Sequence, residues 1–112
     1  GFLGQDKQNT LSRGGAGAYT AAKHGVIGLT RYVACQLGTT GVTVNALSPG
    51  MIPWSKADKE GERLRERLAG MTPVGRNGTP EDFVTAVVFL AADGSGFVNG
   101  ANIVVDGGWS AW

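Results

Sequence analysis

One cysteine, Cys35, and one histidine, His24, stand in the 112 residues. A single thiol cannot close an internal disulfide, so no disulfide framework holds this chain, and a reducing, cytoplasmic setting is expected. Cys35 falls inside a helical pattern, where a small buried apolar role is expected. A single imidazole rules out a multi-histidine metal site or a histidine-based triad within the chain, so no metal is expected. His24 itself is expected in helix packing or at the surface. Charge of one sign is also scarce: the formal net charge is +1 and no basic run forms. Neither nucleic acid nor an anionic membrane is therefore an expected partner. Long apolar runs are missing, because Gly, Asn or Thr interrupts each before the roughly 18 residues that a membrane helix needs. No charged-then-apolar leader pattern opens the sequence. Glycine is the one excess, with 19 residues gathered at turns rather than in a repeat.

A hydrophobic fraction of 42% and a charged fraction of 17% suit a soluble globular chain with a well-buried interior. The length allows one domain at most. Residues 1–17 are polar and glycine-rich and read as a loop. From Ala18 to Leu37, apolar Ala22, Val26, Leu29, Val33 and Leu37 recur at steps of three or four, so a helix is expected, stopped by Gly38 and Gly41. Residues 42–47 are short, apolar and β-branched and predict a strand. The region 50–78 holds Pro53, Pro73 and a charged stretch in which Leu64 and Leu68 form the apolar ridge of a short surface helix. Thr79, Pro80 and Asp82 form a capping box with proline at the first helical position, predicting a helix over 80–92. Its body is apolar nearly all round and is expected to be buried on more than one side. Residues 102–106 read as a strand of a parallel sheet covered on both faces.

Helix, strand, helix, strand in this order is an α/β layer pattern. Two strands make a small sheet for two helices this apolar, so the chain reads as the second half of a larger α/β domain.

Tyr19 and Lys23 lie four residues apart at the start of the first helix, which puts a phenol and an ammonium on one face, a turn apart. A free phenol exchanges its proton poorly at neutral pH. A cation beside it favours the phenolate. At an effective dielectric of about 20, a charge roughly 5 Å away is worth about 3 kcal/mol, enough to move such exchange toward neutral pH. A pair of this kind can act on a carbonyl or a hydroxyl. Helices also carry Tyr/Lys pairs by chance, so the pair alone leaves a structural role open.

Four blocks give the pair its context: Tyr19-Thr-Ala-Ala-Lys23, Asn45-Ala-Leu-Ser-Pro49-Gly50, the run from Pro73 to Asp82, and Val105-Asp106-Gly107-Gly108. In this order and spacing they resemble the C-terminal half of a short-chain dehydrogenase/reductase, from about Gly17 to Gly108. The resemblance implies the C-terminal part of a doubly wound, Rossmann-like parallel-sheet nucleotide-binding fold, its first half absent from this chain. It implies hydride transfer between NAD or NADP and a secondary alcohol/ketone pair, with a small-molecule substrate. By it Tyr19 is the general acid/base, and Lys23 assists its ionisation and hydrogen-bonds the nicotinamide ribose. Pro49, Gly50, Met51 and Ile52 line the nicotinamide pocket. Trp54 stands where the family commonly has a Thr that contacts the carboxamide, with Ser55 as its adjacent substitute, and Met51, Ile52 and Trp54 line either a substrate pocket or the core. The family's tail packs near another subunit, so Trp109 and Trp112 suggest a homodimer or homotetramer.

Departures accompany the match. The glycine-rich phosphate loop has no equivalent, because Gly14-Gly-Ala-Gly17 lacks the preceding strand and the full spacing and reads as a loop or hinge. Asp6 stands where the family's catalytic Ser is expected, and Ser12 lies too close to Tyr19. A polar insertion would place that Ser upstream of residue 1. The acidic residues Asp58, Glu60, Glu62 and Glu66 interleave with Lys59, Arg63, Arg65 and Arg67 and read as a solvated, salt-bridged face. Two further readings stand beside the oxidoreductase: a non-catalytic fragment serving only packing or oligomerisation, and an epimerase or dehydratase on the same scaffold.

Overall fold

The computed structural model describes residues 16–53 and 59–111. The glycine-rich stretch before residue 16 with Asp6 and Ser12, the segment 54–58 with Trp54, Ser55 and Asp58, and Trp112 lie outside the described residues. Three helices, α1 (Ala16–Leu37), α2 (Lys59–Met71) and α3 (Val84–Ala91), and two strands, β1 (Ala46–Pro49) and β2 (Asn102–Val105), follow in the order α1, β1, α2, α3, β2. Short 3-10 turns follow α1, precede α3 and flank β2. The strands pair as a two-stranded sheet. Ala46 N–H donates to Ala101 O at 2.8 Å and Gly50 N–H to Val105 O at 2.9 Å, equal steps along both strands, so they run parallel. This is the α/β pattern of a doubly wound fold's C-terminal part.

The chain forms two compact units. The first holds α1, the segment that leads to Ala46, and Gly96–Asn102. Here α1 begins two residues before the expected Ala18 and ends where glycine permits it. The helix tightens into the 3-10 turn Gly38–Thr40, and Gly41 follows at φ 85°, the left-handed conformation that ends helices. The expected strand over 42–47 is displaced to Ala46–Pro49. Its intended start is occupied otherwise. Val44 N–H donates to Asn99 Oδ1 at 3.0 Å, and Val44 O accepts the Gly100 N–H at 2.8 Å. Asn45 donates through Nδ2 to Val98 O at 2.9 Å and accepts the Ala101 N–H at 3.0 Å, so side chains stand in for ladder bonds before the regular pairing begins. Asn99 Nδ2 then ties this crossing to Ala34 O of α1 at 3.1 Å. Pro49 closes the strand, a position where its missing donor is tolerated.

The second unit is Leu47–Ser95 with the chain from Ile103 onward. The capping box forms as the sequence predicts: Thr79 is extended, Pro80 opens the turn, and Thr79 N–H donates to Asp82 Oδ2 at 2.8 Å. Pro80–Phe83 is 3-10 and leads into α3. At the far end of α3, the Ser95 hydroxyl donates to Phe89 O. Of the expected ridge on α2, Leu64 is exposed and Leu68 half-buried.

The expectation of burial on α3 is corrected. Val84, Val87, Val88 and Phe89 are all exposed, as are Val26, Leu29 and Tyr32 on α1. Among the described residues the buried apolar side chains are Ala34 and Ala46. The physical reason is the size of the sheet. Strands of four residues offer too little area to cover helices of this apolarity. Cys35, expected buried, is also exposed, because it lies on a face of α1 that no described element of its unit covers.

Candidate active site

Tyr19 and Lys23 are brought together on α1. The helical repeat sets their side chains one above the other, and Lys23 Nζ lies 5.5 Å from the Tyr19 ring centroid, on its face. A cation over a phenol ring is itself attractive. Tyr19 is 65% exposed. His24 faces elsewhere in role: its Nδ1 hydrogen-bonds Thr20 O at 2.9 Å, a local helix contact of the kind the sequence suggests.

Pro49, Gly50, Met51 and Ile52 gather at the carboxyl end of β1, in the other unit. Gly50 is held by its N–H bond to Val105, and Met51 O accepts the Gly78 N–H at 3.0 Å. Glycine at position 50 is a steric requirement, since a Cβ there would lie 2.7 Å from Asp106 Cα. Beside this backbone is a cavity of about 200 Å³ lined by Gly50, Met51, Val74, Asn77, Phe83 and Asp106 among others. Asn77 Nδ2 donates to Arg65 O at 3.0 Å, while its Oδ1 is buried with no partner among the described residues. Trp54 lies outside the described residues.

Two features escaped the sequence reading. Arg76 makes a two-pronged bond to Asp82, with Nη1 and Nη2 each 2.7 Å from a carboxylate oxygen. The Arg76 hydrogen bonds, joined by the Thr79 N–H, hold the Asp82 carboxyl well below its ordinary value. The sequence signal was Arg six positions ahead of a capping Asp. The charged face of α2 supplies no such ion pair among the described residues, contrary to the expected salt-bridged face. The second feature is the turn after β2. Asp106 accepts hydrogen bonds from the Ser110 hydroxyl at 2.6 Å, Ser110 N–H at 3.0 Å and Gly108 N–H at 2.9 Å. The Ser110 bond is the main reason that the Asp106 carboxyl is held below its ordinary value, against the opposing effect of burial. A carboxylate followed by two glycines, with a serine four residues on, was the visible signal.

Known proteins resemble this chain in sequence and in fold. A family profile described as enoyl-(acyl carrier protein) reductase matches residues 8–110. The 3-oxoacyl-(acyl-carrier-protein) reductase of Rickettsia felis is 42% identical over 94 residues, which cover 84% of this chain and 39% of that protein. A candidate NAD(P)-dependent gluconate 5-dehydrogenase from Beutenbergia cavernae, with NADP bound at low occupancy, is 43% identical with a TM-score of 0.73, over 85% of this chain and 39% of that one. A 4-hydroxyisoleucine dehydrogenase complexed with NADH is 34% identical with a TM-score of 0.76, over 86% of this chain and 40% of that one. The chain thus spans about two-fifths of the length of the curated relatives it matches.

Proposed function

Because this chain belongs to the short-chain dehydrogenase/reductase family, we propose that it serves an NAD- or NADP-dependent oxidoreductase that interconverts a secondary alcohol and a ketone. The observation that carries this reading is the exposed Tyr19 with the Lys23 ammonium stacked on its ring. The donor set fits a nicotinamide cofactor. An ammonium and a hydroxyl, one turn apart, can donate to the ribose diol and to a substrate oxygen. Backbone at the carboxyl end of a parallel strand, here Pro49 to Ile52, is where ligands of such sheets bind. The cofactor supplies hydride.

This chain's residues handle the proton. Tyr19 Oη donates it to the carbonyl oxygen as that oxygen gains negative charge, and takes it back from the alcohol in the reverse direction. Lys23 stabilises the negative charge left on the phenol and holds the ribose hydroxyls. Met51, half-exposed beside Gly50, presents an apolar side chain at the carboxyl end of β1.

Titration of the protein at its native length with NADH and NADPH, followed by nicotinamide fluorescence, tests the reading. Saturable binding together with an absorbance change on adding ketones supports it. No binding to either nucleotide supports the alternative of a packing or oligomerising segment. Turnover of a substrate with no net change in the nicotinamide supports an epimerase instead. The Tyr19→Phe variant is expected to lose turnover by about 10²- to 10⁴-fold while it binds the nucleotide like the parent protein. Near-parental rates would remove Tyr19 from the mechanism.

A further inference from the structure

The turn that closes β2 has no part in the proton chemistry, yet it bears directly on Gly50 and Met51. Asp106 holds this turn shut through its bonds to Gly108 and Ser110. Gly107 and Gly108 adopt φ values of 64° and 91°, which only glycine takes without strain. The turn is also anchored from outside: Val74 N–H donates to Gly107 O at 3.2 Å, and a Cβ on Gly107 would lie 2.7 Å from Val74 Cγ2. On its other side, Asp106 meets Gly50 so closely that a Cβ on Gly50 would lie 2.7 Å from its Cα and 2.9 Å from its Cβ. The position of Asp106 therefore sets how far the backbone of Gly50 can advance. Gly78, bonded to Met51 O, sets the other limit.

We propose that Asp106 is a positioning residue for nicotinamide-cofactor binding: by closing the 106–110 turn, its carboxylate fixes the backbone of Gly50 and Met51. The inference rests on the reading of those two residues as cofactor-pocket backbone. Asp106 itself touches neither cofactor nor substrate in this account. Its alternative is a purely structural role, in which loss of the carboxylate lowers stability and leaves nucleotide affinity alone.

The test uses the native-length protein and whichever of NADH and NADPH it binds, with fluorescence titration for Kd and thermal melting for Tm. Asp106→Ala removes the carboxylate's acceptor contacts and is expected to weaken binding about tenfold. Asp106→Asn keeps an oxygen for the Gly108 N–H and should recover part of that loss. Ser110→Ala removes only the hydroxyl contact at an exposed position and should weaken binding about threefold. If Asp106→Ala does not fold, Ser110→Ala decides the matter alone. Kd values within twofold of the parent in the folded variants, with Tm lowered, overturn the inference and leave the functional reading intact. A parent protein that binds neither nucleotide overturns both.

Discussion

At the scale of single residues, Gly50 shows how a motif position is fixed by packing. Its backbone angles are ones that any residue can adopt; what forbids a side chain is the Asp106 backbone, too close for even a methyl group. Gly50→Ala must push β1 and β2 apart at their carboxyl ends. Overpacking of this kind costs about 1–3 kcal/mol, and a lowered Tm by calorimetry is the expected sign. A parental Tm would mean that the strand ends yield freely. Tyr19 and Lys23 lie at the opposite extreme. Their pairing needs nothing but the repeat of one helix, so the contact was legible from spacing alone. The chemical role proposed for them rests on the resemblance.

At the scale of elements, the Arg76–Asp82 pair locks the turn into α3, because the carboxylate that caps the helix also receives the guanidinium. The linkage sign follows. The folded-state value of Asp82 lies below the ordinary 3.8, so the pair's stabilisation is present above that value and is lost as pH falls through the folded one. Arg76→Ala is therefore expected to lower Tm by a few degrees at pH 7 and to shrink the difference from the parent as the pH drops below about 4. An offset that stays constant down to strong acid would remove the charge from the explanation. The capping box behind this was readable, since Thr, Pro and Asp each suit one place in a helix start. The displaced first strand was not. β-Branched residues at 42–44 mark a strand by pattern, but the distant Asn99 side chain takes the Val44 N–H, and Asn45 takes the Ala101 N–H. No local signal announces such a capture.

For the molecule as a whole, the exposed apolar faces of α1 and α3 decide what is expected in solution. Val26, Leu29 and Tyr32 on one helix, and Val84, Val87, Val88 and Phe89 on the other, lie open in a chain whose buried apolar side chains, among the described residues, are two alanines. Apolar surface of this kind favours burial, against the rest of a larger α/β domain or against another copy. We expect sedimentation of the native-length protein to give twice or four times the monomer mass. A monomer at micromolar concentration would oppose the expected homodimer or homotetramer. The excess of apolar helix over sheet was visible in the sequence, because helix apolarity and strand length can both be counted there.

The bond between Val44 and the Asn99 side chain joins positions 55 residues apart. A ribosome adding 5–20 residues each second needs about 3–11 s to deliver the second partner after the first. Over that interval the Val44 N–H waits for its partner side chain. Its correct neighbour has not yet been translated, and any shielding in those seconds must come from chaperones or from other parts of the nascent polypeptide.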